Sequence, residues 1–252
     1  MARPREKVIL FIVEGTSDMH ALERPIMNLL QAHGSEYKVR FLPATTDITS
    51  DFRNNPDNIL DVIAKHYFRP FFSGNDCYAK YVVEVVHLCD LDGTFIPPEN
   101  CRPYDSEHTA EKGFIYDSQY IYGRTAEEVI DRNRRKAENL EFLFREVTSI
   151  KVKRAVPYSI YFFSSNIEHY LHDKINLCTR DKINLSEAFA DKCDDDPDWF
   201  LRRLCRHNRA LTDMTYEESW EFVMTGLNSL KRYTNFNIFL EKLLSRIHEE
   251  SN

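Results

Sequence analysis

Four carboxylates stand where the chain should leave an apolar strand, and carboxylates gathered that way can hold a hard divalent cation. Asp90 and Asp92 follow a run from 83 to 88 that is apolar apart from Glu84 and His87. At spacing i, i+2 just beyond a strand, two such groups point the same way and can share an ion such as Mg²⁺. Like charges that close raise a pKa unless a cation or donor neutralises them. Glu14 ends a second apolar run, Val8-Ile-Leu-Phe-Ile-Val, and Asp18 lies four residues on, one helical turn up. Plainer readings stay open here: a D-x-D also occurs as a simple turn, and Glu14 and Asp18 also favour the positive end of a helix.

The elements that must carry these groups can be read from periodicity. Residues 8–13 are six apolar residues, four of them β-branched, as in a strand buried on both faces. Gly15 supplies a residue without Cβ for a sharp turn. Thr16 or Ser17 is expected to cap a helix bearing Met19, Leu22, Ile26, Leu29 and Leu30 on one side. A short strand follows at 37–42. Next comes a helix from Pro56 to about Tyr67 with Ile59, Leu60, Ile63 and Ala64 inward, then a loop over 70–78. Residues 81–88 form the third strand, and 94–124 an irregular excursion without periodicity. Residues 125–147 predict a long helix and 157–163 a fourth strand, which runs into Ser164-Ser-Asn-Ile-Glu-His. Three apolar stripes then predict helices around Phe200, Leu204 and Leu211, from Tyr216 to Leu230, and from Phe236 to Ile247. Strand and helix alternate, so the expected class is α/β: a mostly parallel sheet flanked by helices over 1–175, then a helical region over 176–252.

Composition narrows the function classes. The chain of 252 residues is 42% hydrophobic, enough for a large core, with a formal net charge of −7. That charge argues against a protein that coats nucleic acid indiscriminately, although a local basic groove depends on where charges sit. One segment is locally basic: residues 131–154 hold eight Lys or Arg against four Asp or Glu. Arg132, Arg134, Arg135, Lys136, Lys151, Lys153 and Arg154 are the candidates for phosphate contact, the alternative being a solvated helix face. The six cysteines are scattered without a C-x-x-C pair, so neither a zinc site nor a disulfide framework is expected. No apolar run reaches membrane-spanning length and the amino terminus lacks a signal-peptide pattern, so a cytoplasmic protein with no membrane partner is expected.

Two families use a D-x-D beyond an apolar strand. Asp90-Leu-Asp-Gly-Thr resembles the first motif of haloacid-dehalogenase-type phosphatases, in which the first Asp is the nucleophile and the second the acid/base. That resemblance also requires a Ser or Thr ending a later strand, for which Ser164 would serve, and a later acidic pair, for which Asp194-Asp-Asp is the only cluster. It leaves Glu14 unexplained. The order strand-Glu14-Gly15-x-x-Asp18-helix, strand, helix, strand-Asp90-x-Asp92 is similar instead to the Toprim domain. Topoisomerases, primases and the OLD-family nucleases (named for overcoming lysogenization defect) share that fold. Ser165-Asn-Ile-Glu168 is similar to that family's later Ser-x-Glu element with one extra residue, and Lys174 is assigned by position to its following Lys.

The Toprim resemblance covers residues 7–175 and implies a site. Glu14, Asp18, Asp90, Asp92 and Glu168 would hold Mg²⁺ or Mn²⁺, with Glu14, Asp90, Asp92 and Lys174 catalytic, for hydrolysis of DNA or RNA. OLD nucleases carry a fused ATPase domain. This chain has no G-x-x-x-x-G-K-[ST] and only seven glycines, so the resemblance is to stand-alone Toprim nucleases of prokaryotic anti-phage systems that act with a separate ATPase. A homo-oligomer is left open. Its thirteen tyrosines single out no topoisomerase-like nucleophile, which favours direct hydrolysis. The remaining alternative is a Toprim-like binding subunit without catalysis.

Overall fold

A computed structural model describes residues 7–44, 47–73, 79–111, 113–206 and 208–251. The elements run in the order β1 (Lys7–Val13), α1 (Thr16–Ala32), β2 (Tyr37–Pro43), α2 (Ile59–Ile63), α3 (Arg69–Phe72) and β3 (Val82–Asp90). Three short strands follow, β4 (Cys101–Pro103), β5 (Ile115–Tyr116) and β6 (Ile121–Gly123), then α4 (Ala126–Arg145), β7 (Ser149–Lys151) and β8 (Ala155–Phe163). The chain ends in α5 (Ile167–His172), α6 (Thr179–Asp195), α7 (Pro197–Arg206), α8 (Tyr216–Val223) and α9 (Phe236–Ser251).

The main sheet has the order β2-β1-β3-β8-β7; its first four strands are parallel, and β7 is antiparallel to β8. This is the expected α/β class, a mostly parallel sheet flanked by helices with helices at the carboxyl end. Alternation along β1 explains the layers, because successive side chains face opposite sides of a strand. Ile9, Phe11 and Val13 pack with Leu22 and Ile26 of α1, Phe200 of α7 and Phe236, Phe239 and Leu243 of α9. Val8, Leu10 and Ile12 pack on the other face with Ile59 and Ile63 of α2, Leu140 and Leu143 of α4 and Trp220 of α8. The six residues 8–13 are at most 1% exposed, so β1 is the covered centre its composition predicts.

Strand order also creates the crevice. The chain passes from β1 to β2 on one side, then returns to place β3 on the other side of β1. Connections leaving β1 and β3 therefore diverge at their carboxyl ends, and open α/β sheets bind ligands at such a reversal.

Several local expectations change. The helix predicted to stop near Tyr67 continues through Pro70 to Phe72, by way of a π-helical turn at Ala64–Phe68. Residues Pro70–Phe72 are therefore helical where a loop was expected. The extra residue of the π turn loosens the backbone bonding that a helical proline would otherwise break. The helix expected from Tyr216 to Leu230 ends at Val223; Gly226 is left-handed, with φ +57°, and Asn228–Leu230 is a separate 3-10 turn. Residues 94–124 include a small sheet of order β4-β6-β5, whose Cys101 and Ile121 pack on Val129 of α4. Strands of two or three residues are too short to reveal alternation. Glu84, unexplained in an apolar strand, is paired with Arg246 of α9 at 2.9 Å. Cys89, Cys101, Cys178, Cys193 and Cys205 are free thiols, while Cys77 lies outside the described residues. Among the described residues, no helix is long and apolar enough to cross a membrane.

Candidate active site

Each carboxylate is delivered by the end of a strand or by the helix that follows it. Glu14 directly follows β1, and its Oε1 accepts a 3.2 Å hydrogen bond from the Asp90 N–H, tying the ends of β1 and β3 together. Asp90 is the last residue of β3, two positions further along the strand than expected, and its Oδ1 accepts from the Ile167 N–H at the start of α5. Asp18 lies in the first turn of α1, where its Oδ2 accepts from the Gly15 N–H at 2.9 Å. Gly15 itself is the cap residue, in place of Thr16 or Ser17. Its extended backbone (φ −154°) is open to any residue, and an added Cβ would come no closer than 3.6 Å to another atom. The glycine that the turn does require is Gly93, with φ +67° and no room for a Cβ beside Leu230 and Ile121. Asp92 before it is also left-handed (φ 48°), and this reversal turns the chain away from the sheet immediately after the D-x-D.

These residues converge. Glu14, Asp18, Asp90, Asp92, Glu168 and Lys174 line one cavity of about 330 Å³ at the carboxyl edge of the sheet, together with Ser17, Asn166 and Lys182. Phe114 and Tyr116 from the 94–124 excursion form an aromatic wall. The wall is fastened by Asn176, which accepts from the Tyr116 N–H at 3.0 Å and donates to the Tyr116 carbonyl at 2.8 Å. Glu168 is 3% exposed; Lys182 Nζ stands 3.1 Å from its Oε1, yet neither carboxylate oxygen has an aligned hydrogen-bond donor.

Sequence reasoning missed Asp47 and Lys182, and misplaced Lys136. Glu14, Asp47 and Asp92 bring carboxylate oxygens within 4.8 Å of one another, a half-buried acidic cluster that could hold a metal ion. Asp47 follows β2 at the same sheet edge and accepts from the Thr49 N–H and hydroxyl. Its position just beyond a parallel strand was the available signal. Lys182 looks like any other lysine on a polar helix, and nothing in the sequence marks it. Lys136 is fully buried: its Nζ donates to Asp92 Oδ2 at 2.7 Å and Asp47 Oδ2 at 2.8 Å, and lies 3.5 Å from Glu14 Oε1.

The basic segment accordingly does not form one phosphate-facing surface. Arg132 is 6% exposed, donates to the Asp92 carbonyl and stacks 4.7 Å from the Phe114 ring centre. Arg134 is exposed and paired with Asp131, and Arg135 is half-buried. Lys151, Lys153 and Arg154 are exposed on the β7–β8 hairpin, where Arg154 donates to the Val82 carbonyl. Arg132 and Lys136 face inward because helical spacing places them one turn apart on the side of α4 that covers the acidic residues.

The electrostatics follow from this packing. Burial, then the Asp47 charge, push the Glu14 carboxyl well above the ordinary carboxylate range, against the pull of Lys136. Burial, then the Asp18 and Glu14 charges, do the same to Asp90. Asp18 is pushed up to about 6 by burial and then by Glu168, with Lys182 opposing. For Asp47 burial is outweighed by Lys136 and the Thr49 and Ser50 donors, which hold it below its usual value. Burial works against the Lys136 ammonium, but Asp47, Asp92 and Glu14 together raise its pKa well above the ordinary lysine value, so it stays charged. A site whose carboxylates bind protons this readily is one that a cation would relieve.

The chain matches no protein-family model, no curated protein and no solved structure.

Proposed function

We propose that this protein is a divalent-metal-dependent nuclease that hydrolyses phosphodiester bonds of DNA or RNA. The observation that carries the reading is the meeting of Glu14, Asp18, Asp90, Asp92, Glu168 and Lys174, drawn from three separate stretches of the chain, around one cavity. The donor set suits a hard cation: it is all carboxylate, and the Glu168 oxygens are buried without aligned donors. A bound Mg²⁺ or Mn²⁺ supplies water activation and charge neutralisation at a phosphate. Asp90, anchored by the Ile167 N–H, is the central ligand, and Asp18 and Glu168 flank it. Lys174 is exposed at the rim and Lys182 half-buried within; both bring positive charge to an incoming phosphate. In the anti-phage setting that the Toprim resemblance suggests, the chain is the nuclease effector and a separate ATPase is its partner.

The phosphatase reading draws less support. Ser164, its required hydroxyl, is fully buried and donates to the Asn228 carbonyl. Asp194 and Asp196 pair with Arg24 and Arg202 away from the cavity. The test is cleavage of plasmid DNA and of structured RNA in Mg²⁺ or Mn²⁺, with EDTA as control and p-nitrophenyl phosphate in parallel. Nucleic-acid cleavage lost in Asp90→Asn and in Glu14→Gln supports the nuclease. Phosphatase activity that survives Glu14→Gln supports the alternative, and absence of both activities leaves a binding subunit.

A further inference from the structure

A cation already stands in the inner half of the acidic floor. The carboxylates whose oxygens gather closely enough for a metal ion, Glu14, Asp47 and Asp92, are the same three that surround Lys136 Nζ at 3.5, 2.8 and 2.7 Å. We infer that Lys136 is a built-in cation that permanently fills this inner position, so that the chain takes one divalent ion, on Asp90 with Asp18 and Glu168, rather than a pair. The inference rests on the reading of the cavity as a divalent-cation site, and it removes Glu14 and Asp92 from the ligands expected from the sequence, leaving Glu14 to hold the Asp90 N–H.

Three observations carry it. First, the ammonium and a divalent ion would compete for the same oxygens. Charge-assisted N–H bonds to carboxylate run at about 2.7–2.9 Å, the separation found for two of the three contacts. A Mg²⁺ or Ca²⁺ ion would have to sit at about 2.0–2.6 Å from those oxygens, in direct repulsion with Nζ. Second, Lys136 is not free to withdraw. Its side chain is fully buried on α4, between Arg132 one turn before and Asn139 one turn after, and both of these are also buried. Arg132 adds a second positive charge on the same side, bonded to the Asp92 carbonyl. Third, the outer half has the opposite character. Glu168 is buried, lines the cavity and offers two oxygens with no aligned donor, and its lysine contact is a single one at 3.1 Å from the partly exposed Lys182.

Lys136 does not line the cavity and is therefore a positioning residue. It offsets the charge of Asp47 and Asp92 at 2.8 and 2.7 Å, stands 3.5 Å from Glu14, and so fixes the block against which the Asp90 group is set.

Counting bound Mn²⁺ tests this directly, by electron paramagnetic resonance of the free ion at increasing Mn²⁺ on the intact chain. The parent is expected to bind one ion. Lys136→Met, refolded in Mn²⁺ if required, is expected to bind two, because its inner carboxylates are then open. Asp47→Asn retains Lys136 and should leave Mn²⁺ affinity nearly unchanged, whereas Asp90→Asn should weaken it by about tenfold or more. Two ions on the parent, or an Asp47→Asn loss as large as that of Asp90→Asn, overturns the inference while sparing the metal-dependent nuclease. No ion on the parent with one gained in Lys136→Met refutes the proposed function and upholds the role of Lys136. No ion on either overturns both.

Discussion

Asp47 and Asp18 both lie just beyond the carboxyl ends of neighbouring strands, β2 and β1, and burial pushes both carboxyl groups upward. Their outcomes differ. Asp47 ends below its ordinary value, because a fully buried ammonium stands 2.8 Å away and Thr49 and Ser50 add donors. Asp18 rises to about 6, because its nearest charged influence is another acid, Glu168, and Lys182 offsets it only in part. The two halves of the acidic floor contain similar residues. What separates them is the placement of the lysine: Lys136 makes two short contacts from inside the core, and Lys182 makes one with its side chain 31% exposed. The inner half is thus an ion-pair cluster, and the outer half is a set of acids lining an open cavity.

Substitutions in the two halves should separate most widely in catalysis. Asp90→Asn keeps the shape and the oxygen that receives the Ile167 N–H, but removes the charge a metal needs. We expect nucleic-acid cleavage to fall by at least about a hundredfold, while stability in EDTA is equal or higher, because like charges are relieved. Glu168→Gln should act in the same direction less severely, whereas Asp47→Asn, in the inner half, should leave cleavage nearly unchanged. A stability loss in EDTA that matches the activity loss would make Asp90 structural.

Stability in EDTA should reverse the ranking. Lys136→Met takes the fully buried ammonium away from Asp47 and Asp92 and should cost about 3–5 kcal/mol by urea denaturation, the range for breaking a buried ion pair. Lys182→Met breaks a partly exposed ion pair and should cost about 1 kcal/mol or less. Equal losses would erase the distinction between the halves.

Titration sharpens it further. A carboxyl whose folded pKa is raised contributes most stability below its unfolded value, and that contribution is lost as pH rises through the folded value. For Asp18 the window runs from its ordinary 3.8 to about 6. In EDTA, Asp18→Asn should therefore gain on the parent across that window by up to about 1.4 kcal/mol per pH unit, with little further change above it. Asp47→Asn should give the opposite sign: Asp47 stabilises at higher pH and its contribution fades as pH falls through its lowered value. A parallel course for the two variants would refute the contrast.

Four of the five strands of the main sheet, the placement of Glu14 and the D-x-D pair, and their meeting with Glu168 were legible because each signal is local. Apolar runs mark strands, and a carboxylate at a strand end stays at the edge wherever the strand goes. Lys136 was legible as a basic residue but not as an inward one. Its helix carries Arg132, Arg134, Arg135 and Lys136 on several faces, and only the packed structure shows that the acidic residues lie beneath two of them. Asp47 sits in a polar stretch with no periodicity, and its role depends on Lys136, far away in sequence. The wall of Phe114 and Tyr116 was hidden because strands this short carry no pattern.

The smallest expected effect lies outside the cavity. Arg134, Lys151, Lys153 and Arg154 are the exposed remainder of the basic segment. If they meet the nucleic-acid backbone, replacing them with Gln should flatten the salt dependence of binding by about 0.9 log units per log salt for each duplex phosphate that is no longer neutralised. An unchanged slope would leave them as solvated surface.

The most direct test of a cation site in the outer half is a crystal soaked in Mn²⁺ with data collected at an energy where manganese scatters anomalously. An anomalous peak is expected in the cavity with Asp90 as a ligand, and none among Glu14, Asp47 and Asp92 where Lys136 Nζ lies. A cavity without a peak at saturating Mn²⁺ would contradict the outer site, as would a peak that displaces Lys136.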